Sequence, residues 1–247
     1  MRIAFYNQMF GMNGKSFFSN LLGHWAVHYQ SKRERVYSKT NLERTIKIIR
    51  KANVDIVGVC EVLEGQEKEL KEDLEKLGYK MVYFGEEHKT KYSGLMIKVC
   101  LASRLKLVKK EIKGFPHLDE LGGGGGFLYC YVPELKTEVI CLHFAIRQKK
   151  ELIDKQIKFL FENLDKTKKT IILGDFNMPY QELAREFPQL NQLVLASNEM
   201  KVCSLTPILR WFHYKDDDHI FVSGFKTRKT GCLRGYSDHK LIYAELE

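Results

Sequence analysis

Gly174-Asp175-Phe176-Asn177 closes the apolar run Thr170–Leu173, and Ser237-Asp238-His239 stands just ahead of another, Leu241–Ala244. Carboxylates, an amide and an imidazole at the edges of apolar strands are held rigidly beside solvent. Together they are what a hard metal ion and a phosphate ester need. Four more polar residues sit the same way. Asn7 ends the run Ile3–Tyr6, Glu61 ends Asp55–Cys60, His143 ends Val139–Leu142, and Asp218 opens His219–Val222. Any one of them alone reads as a turn or a solvated strand end. Gly, Asp and Asn are turn residues, and Pro179 follows Asn177. All of them at strand edges point instead to a shared rim, which would gather residues far apart in the chain.

Asn7, Cys60-Glu61, Leu142-His143, Gly174-Asp175-Phe176-Asn177, Asp218-His219-Ile220-Phe221-Val222-Ser223 and Ser237-Asp238-His239 occur in this order. The succession resembles the endonuclease/exonuclease/phosphatase superfamily. That group includes deoxyribonuclease I, exonuclease III-type abasic endonucleases, tyrosyl-DNA phosphodiesterases, deadenylases, neutral sphingomyelinases and inositol polyphosphate 5-phosphatases. The resemblance runs from residue 3 to residue 246. It implies a deoxyribonuclease I-like, four-layered α/β sandwich: two central, mostly antiparallel sheets flanked by helices, with the active site at one end. It implies a phosphodiesterase dependent on Mg²⁺ or Mn²⁺. Glu61 would be the main metal ligand, with Asn7 and Asp238 beside it. Asp175 and Asn177 would orient the attacking water and the phosphate. His239, held by Asp218, would be the catalytic imidazole. His143 would touch the phosphate or protonate the leaving oxygen. Asn7, Asn177 and His143 would also contact the substrate.

Mg²⁺ takes oxygen ligands at ~2.0–2.1 Å and keeps several waters, so one or two carboxylates suffice. A carboxylate behind an imidazole fixes its tautomer and stabilises its charged form. Either Asp175 or His239 can take the proton of the water. Three departures from the family pattern stand out. Lys240-Leu241 replaces the usual basic residue and Pro after Ser-Asp-His. Asp216 and Asp217 precede Asp218, and the match of Ile220-Phe221-Val222 assigns the motif to Asp218. Met178-Pro179 follows Asn177, and the Trp-Cys-Asp-Arg signature of the inositol phosphatases is absent. A rival phosphate-binding loop at Gly11-Met12-Asn13-Gly14-Lys15-Ser16 fails on spacing: such a loop needs four residues between its glycines, and this one has two.

Ten strand-like runs position these residues: Ile3–Tyr6, Asp55–Cys60, Lys80–Phe84, Gly94–Cys100, Leu105–Lys110, Phe127–Val132, Glu138–Leu142, Thr170–Leu173, His219–Val222 and Leu241–Leu246. Several are apolar on both faces, as in the interior of a covered sheet. Helical stripes lie between them: Leu42, Ile46 and Ile49; Leu70, Leu74 and Leu77; and Leu152, Ile153, Ile157, Leu160, Phe161 and Leu164. The pattern predicts an α+β sandwich with sheets inside and helices outside.

Residues 11–38 are extra material rich in aromatics and bases. Phe17, Phe18, Leu21, Leu22 and Trp25 fit the buried face of one amphipathic helix, while Lys32, Arg33 and Arg35 suit phosphates. Gly122–Gly126, five glycines in a row, reads as a surface loop.

No linker divides the 247 residues, so one domain over 1–247 is expected. A formal charge of +9 suits a polyanion, nucleic acid before an anionic membrane surface. The six cysteines, Cys60, Cys100, Cys130, Cys141, Cys203 and Cys232, form no CxxC pair, and most lie in apolar runs as small buried hydrophobes. A reducing compartment fits. No signal peptide precedes the first strand, and no apolar run nears the ~20 residues of a membrane span. The expectation is a cytoplasmic monomer that does not insert into membranes.

Overall fold

The computed structural model describes the chain apart from residues 14–16, 30–35, 39, 90–93, 117–125 and 198–216. Cys203, Asp216, Lys32, Arg33, Arg35 and glycines 122–125 lie outside the described residues, as do the side chains of Phe17 and Tyr29. In chain order the elements are β1 (Arg2–Asn7), α1 (Phe17–Tyr29), α2 (Glu43–Ala52), β2 (Ile56–Leu63), α3 (Glu67–Lys76), β3 (Met81–Lys89), β4 (Met96–Ser103), β5 (Val108–Lys110), β6 (Gly126–Val132) and β7 (Thr137–His143). They continue with α4 (Lys150–Asn163), β8 (Lys169–Asp175), α5 (Tyr180–Glu186), β9 (Val194–Leu195), β10 (Asp218–Ser223), β11 (Thr227–Arg234) and β12 (Lys240–Leu246).

The strands form two six-stranded sheets, β11-β12-β1-β2-β4-β3 and β5-β6-β7-β8-β10-β9. Pairing is antiparallel except for β1 with β2 and β7 with β8. Strand periodicity explains the layering. Ile3 and Phe5 point into the core between the sheets, with Leu101, Cys141, Ile171, Leu173 and Ile242. Their neighbours Ala4 and Tyr6 point outward, under Ile46, Ile49, Leu70 and Leu74 of α2 and α3. On the other sheet Ile140 and Ile172 face outward, under Ile153, Ile157 and Leu160 of α4. Alternate residues therefore feed two apolar layers, and strands buried on both faces read as continuous apolar runs. The result is the four-layered α+β sandwich.

Local signals account for the helix boundaries. α2 stops where Asn53 turns left-handed (φ 47°) and donates its N–H to Ile49 O. In α4 the buried Gln156 is satisfied at both ends: Oε1 accepts Ala145 N and Nε2 donates to Pro116 O.

α1 reverses the expectation for its apolar stripe. Its core-facing residues are Gly23, Ala26 and Val27. Phe18, Leu21, Leu22 and Trp25, expected to be buried, are exposed by 74%, 54%, 56% and 48%. The reason is clearance. A Cβ on Gly23 would lie 2.7 Å from Met9 Cε and 3.2 Å from Met12 Sδ, so only the small-residue face comes this close.

Among the described residues no helix is long and apolar enough to cross a membrane.

Candidate active site

The site lies at one end of the sandwich, where strands of both sheets terminate. In the second sheet β7 runs parallel to β8 with His143 opposite Asp175, and β10 runs antiparallel to β8 with Asp218 opposite Asp175. Three adjacent strands thus present His143, Asp175 and Asp218 side by side. In the first sheet β1 and β2 run parallel with Asn7 opposite Cys60, one residue before Glu61. The Ser237-Asp238-His239 segment precedes β12, which pairs with β1.

Asn7 joins the two sheets. Its Nδ2 donates to Glu61 Oε1 and to Asp175 Oδ2, each at 3.0 Å, while its Oδ1 accepts Met9 N. The amide sits between two carboxylates and bonds both.

Glu61 has a backbone that few non-glycine residues adopt, φ 56°. It falls where the β2–β4 register shifts between Val59 and Val62. The sequence places Glu61 at the end of its strand, but β2 continues to Leu63, and it is the bulge inside the strand that re-aims the side chain. Neighbouring polar groups hold it in place. Gln8 Nε2 donates to Glu61 O and Gln66 Oε1, and Thr45 donates to Gln8 Oε1.

Asp175 is anchored at both oxygens, since its Oδ1 accepts Asn177 N at 2.8 Å. Asn177 is also left-handed (φ 51°), a conformation asparagine tolerates, and its Nδ2 donates to Phe144 O. The glycine before Asp175 is required by close approach, because a Cβ on Gly174 would lie 2.7 Å from Leu142 O.

Two imidazoles flank Asp175. His143 Nε2 and His239 Nε2 lie 3.8 Å and 3.9 Å from Asp175 Oδ2. The other ring nitrogen of His239, Nδ1, donates to Asp218 Oδ2 at 2.8 Å. Asp218 therefore orients His239 so that Nε2 faces Asp175. Burial pulls the His239 imidazole down, but Asp218, Asp238 and Asp175 outweigh it and hold the ring well above the usual histidine range. Burial pushes Asp218 up to about 6, against the opposing pull of His239. Ser237 ties the loop together: its Oγ donates to Asp238 Oδ1 and accepts His239 N, and its own N–H donates to the Tyr6 hydroxyl.

Asn7, Glu61, His143, Asp175, Asn177, Asp218, Asp238 and His239 all lie at this end of the sandwich. His219, beside Asp218 in sequence, points the other way. Its Nε2 donates to Met178 O among the rings of Phe176 and Phe221, and burial pulls it down to about 4, so it is neutral and structural. Sequence reasoning missed Tyr6, Gln8, Thr45 and Gln66. Tyr6 is one more apolar position of β1, and the polar three lie outside every motif, so their positions carry no sequence signal.

Glu61, Asp175, Asp218 and Asp238 are each at most 8% exposed. Buried carboxylates at this density call for positive charge. His239 balances part of it, and the carboxylate oxygens of Glu61 and Asp238 suit a hard divalent cation, whereas Asn7 turns its Nδ2 to Glu61 and its Oδ1 to Met9 N. Among the described residues, ligand atoms of Asp175, Asp218 and His239 also lie within 4.8 Å of one another.

The sequence profile of the Endonuclease/Exonuclease/phosphatase family matches residues 19–239. The chain belongs to this family. Its members are generally phosphoester hydrolases and typically depend on a divalent metal.

Solved structures share the fold at low identity. An endonuclease/exonuclease/phosphatase protein from Beutenbergia cavernae superposes with a TM-score of 0.73 at 16% identity, covering 100% of this chain and 71% of its own. The mannosyl-6-phosphatase of Bacteroides thetaiotaomicron gives 0.63 at 18% identity, covering 100% of this chain and 99% of its own. An AP endonuclease from Archaeoglobus fulgidus gives 0.63 at 14% identity, with coverage of 100% and 99%. No curated protein matches the sequence.

Proposed function

We propose that the protein is a divalent-metal-dependent phosphodiesterase acting on nucleic acid. The observation that carries the reading is the convergence on Asp175. Its carboxylate is fixed by Asn7 and Asn177 and flanked by two imidazoles at near-equal distance, one of them oriented by Asp218. Such a site gathers a proton acceptor and two ring nitrogens around one point, where a water and a phosphoryl oxygen can be held together.

A Mg²⁺ or Mn²⁺ ion held by Glu61 and Asp238, with Asn7 fixing the Glu61 carboxylate, would draw charge from the phosphoryl oxygens. Asp175 and Asn177 orient the attacking water, and Asp175 Oδ2 stands where it can accept the water proton. His239 Nε2 donates to a non-bridging phosphoryl oxygen and stabilises the charge that builds there. Asp218 keeps that ring in its donating tautomer throughout. His143, whose Nε2 lies 3.8 Å from the same Asp175 oxygen, contacts the phosphate.

Nucleic acid as substrate is supported by the charge of +9 and by the AP endonuclease among the structural neighbours. The test is turnover of bis(p-nitrophenyl) phosphate with Mg²⁺ or Mn²⁺, then a panel of labelled DNA, RNA, abasic DNA and a sugar phosphate monoester. The expected result is metal-dependent cleavage, lost with chelator, with nucleic acid preferred over the monoester. Turnover indifferent to chelator would sink the metal role, and a preference for the sugar phosphate would sink the substrate class.

A further inference from the structure

α1 presents two apolar stripes, one buried and one exposed, and its polar residues are Ser19, Asn20, His24 and His28. Phe17–Tyr29 contains no Asp, Glu, Lys or Arg. One face, with Gly23, Ala26 and Val27, packs beside Met9, Met12, Leu63 and Ile97. On the other, Leu21, Leu22 and Trp25 are each about half exposed, and Phe18 at 74% extends the stripe by a turn. An apolar ridge left in solvent on a helix whose other face is already packed marks an interaction surface. The spacing, residues 18, 21, 22 and 25, is that of a single continuous ridge.

The exposed ridge discriminates between occupants. Four such side chains present about 400 Å². A stable dimer takes ~800 Å² from each partner, so a second copy of the chain is a poor fit. Nucleic acid binds through cations on phosphates and aromatic faces on bases. The helix has no Lys or Arg, and two of its four ridge residues are leucines, which do not stack. A lipid surface accepts Leu, Phe and Trp alike, with Trp favoured at the boundary. Charge in the flanking sequence agrees. Between Gln8 and Leu42 the charged residues are Lys15, Lys32, Arg33, Arg35 and Lys39 against Glu34 alone. Basic residues beside an apolar helix are what anionic headgroups attract.

We propose that the outer ridge of α1, Phe18, Leu21, Leu22 and Trp25, docks the protein on an anionic lipid surface. The docking leaves the protein peripheral, since one ridge of a 13-residue helix enters only the headgroup boundary. The inference does not depend on the catalytic reading, because soluble-ester turnover and vesicle binding are separate measurements.

The chain has two tryptophans, Trp25 and Trp211, so Trp211→Phe leaves Trp25 as the sole reporter. Phosphatidylcholine vesicles containing an equal part of phosphatidylserine should shift its emission to the blue and let brominated lipid quench it. Pure phosphatidylcholine vesicles should bind about tenfold more weakly, and so should Leu22→Glu with the mixed vesicles. Leu21→Gln, a milder change on the same ridge, should weaken binding in the same direction. Both variants should keep the soluble-ester turnover of the parent, which controls for folding. Absence of a blue shift with mixed vesicles would overturn the proposal. So would unchanged binding in both variants, a Trp25 response to single-stranded oligonucleotide in place of vesicles, or a concentration-dependent dimer that Leu22→Glu abolishes.

Discussion

Asn7→Asp replaces an amide by a carboxylate of the same shape at the point where the two sheets' acidic residues meet. The amide Nδ2 is 3.0 Å from Glu61 Oε1 and 3.0 Å from Asp175 Oδ2. With an effective dielectric of ~20, like charges this close repel by about 5 kcal/mol per pair. The protein has a cheaper escape, which is to protonate one carboxyl. For an ordinary pKa of ~4, holding that proton at pH 7 costs about 4 kcal/mol, and this smaller figure caps the repulsion. A protonated carboxyl donates one hydrogen bond where the amide donated two, so roughly 1.5 kcal/mol more is lost. The total is about 5 kcal/mol, equivalent to a fall in melting temperature of about 10–20 °C for a chain of this length. The assay is thermal unfolding in chelator at pH 5 and pH 7. The introduced acid has a raised folded-state pKa, so its penalty grows as pH rises and should be much smaller at pH 5. Millimolar Mg²⁺ should recover part of the loss at pH 7, because three carboxylates hold a cation better than two. Asn7→Ala, which loses hydrogen bonds without adding charge, should show the same shift at both pH values. An Asn7→Asp protein that melts like the parent in chelator at pH 7, or whose shift ignores pH, would refute the bridging role.

Two further outcomes are expected. Asp218→Asn removes the charged acceptor from His239 Nδ1 but keeps the volume; a charge-assisted hydrogen bond of ~1.5–3 kcal/mol predicts a fall in kcat of about 10–100-fold with KM little changed. Full activity in that variant would remove His239 from the chemistry. His219 has a folded-state pKa depressed by burial to about 4 from an ordinary 6.5; its stability is complete above pH ~6.5 and is lost as pH falls towards 4, by about 3 kcal/mol. Urea midpoints measured across that window should decline in the parent and decline less in His219→Phe, and parallel profiles would count against the assignment.

The strands were legible because their residues are apolar on both faces. Each of the ten strand-like runs holds a strand of one of the two sheets, although β5 (Val108–Lys110) is largely exposed and takes up only the end of Leu105–Lys110. Two strands lie outside those runs. β11 (Thr227–Arg234) is an edge strand of largely polar residues, and β9 (Val194–Leu195) is two residues long. β11 carries no apolar run to read, and the short run Leu193–Ala196 that holds β9 is not among the ten. The helices over the sheets followed from their stripes: α2 buries Ile46 and Ile49, α3 Leu70 and Leu74, and α4 Ile153, Ile157 and Leu160, while Leu77, Leu152, Phe161 and Leu164 are only partly buried. α1 failed the same logic. Periodicity finds a face, but it does not say which side of a helix the fold turns inward. Packing on Met9 and Met12 made that choice, with Gly23 giving the close approach and Val27 filling the same cluster.

The sequence by itself determined which residues end strands and, through their order, the family. Asp175, Asn177, Asp238 and His239 were marked by local motifs, whereas Asn7, Glu61, His143 and Asp218 gained meaning only from company. Tertiary structure decided what each does to its neighbours. It placed His143, Asp175 and Asp218 on three adjacent strands, set Asn7 between Glu61 and Asp175, and turned His219 away from its neighbour's site. The physical reason is that hydrogen bonds of ~3 Å between residues more than a hundred positions apart depend on sheet register and on bulges such as that at Glu61. Register is a property of two strands together, and a single stretch of sequence does not carry it.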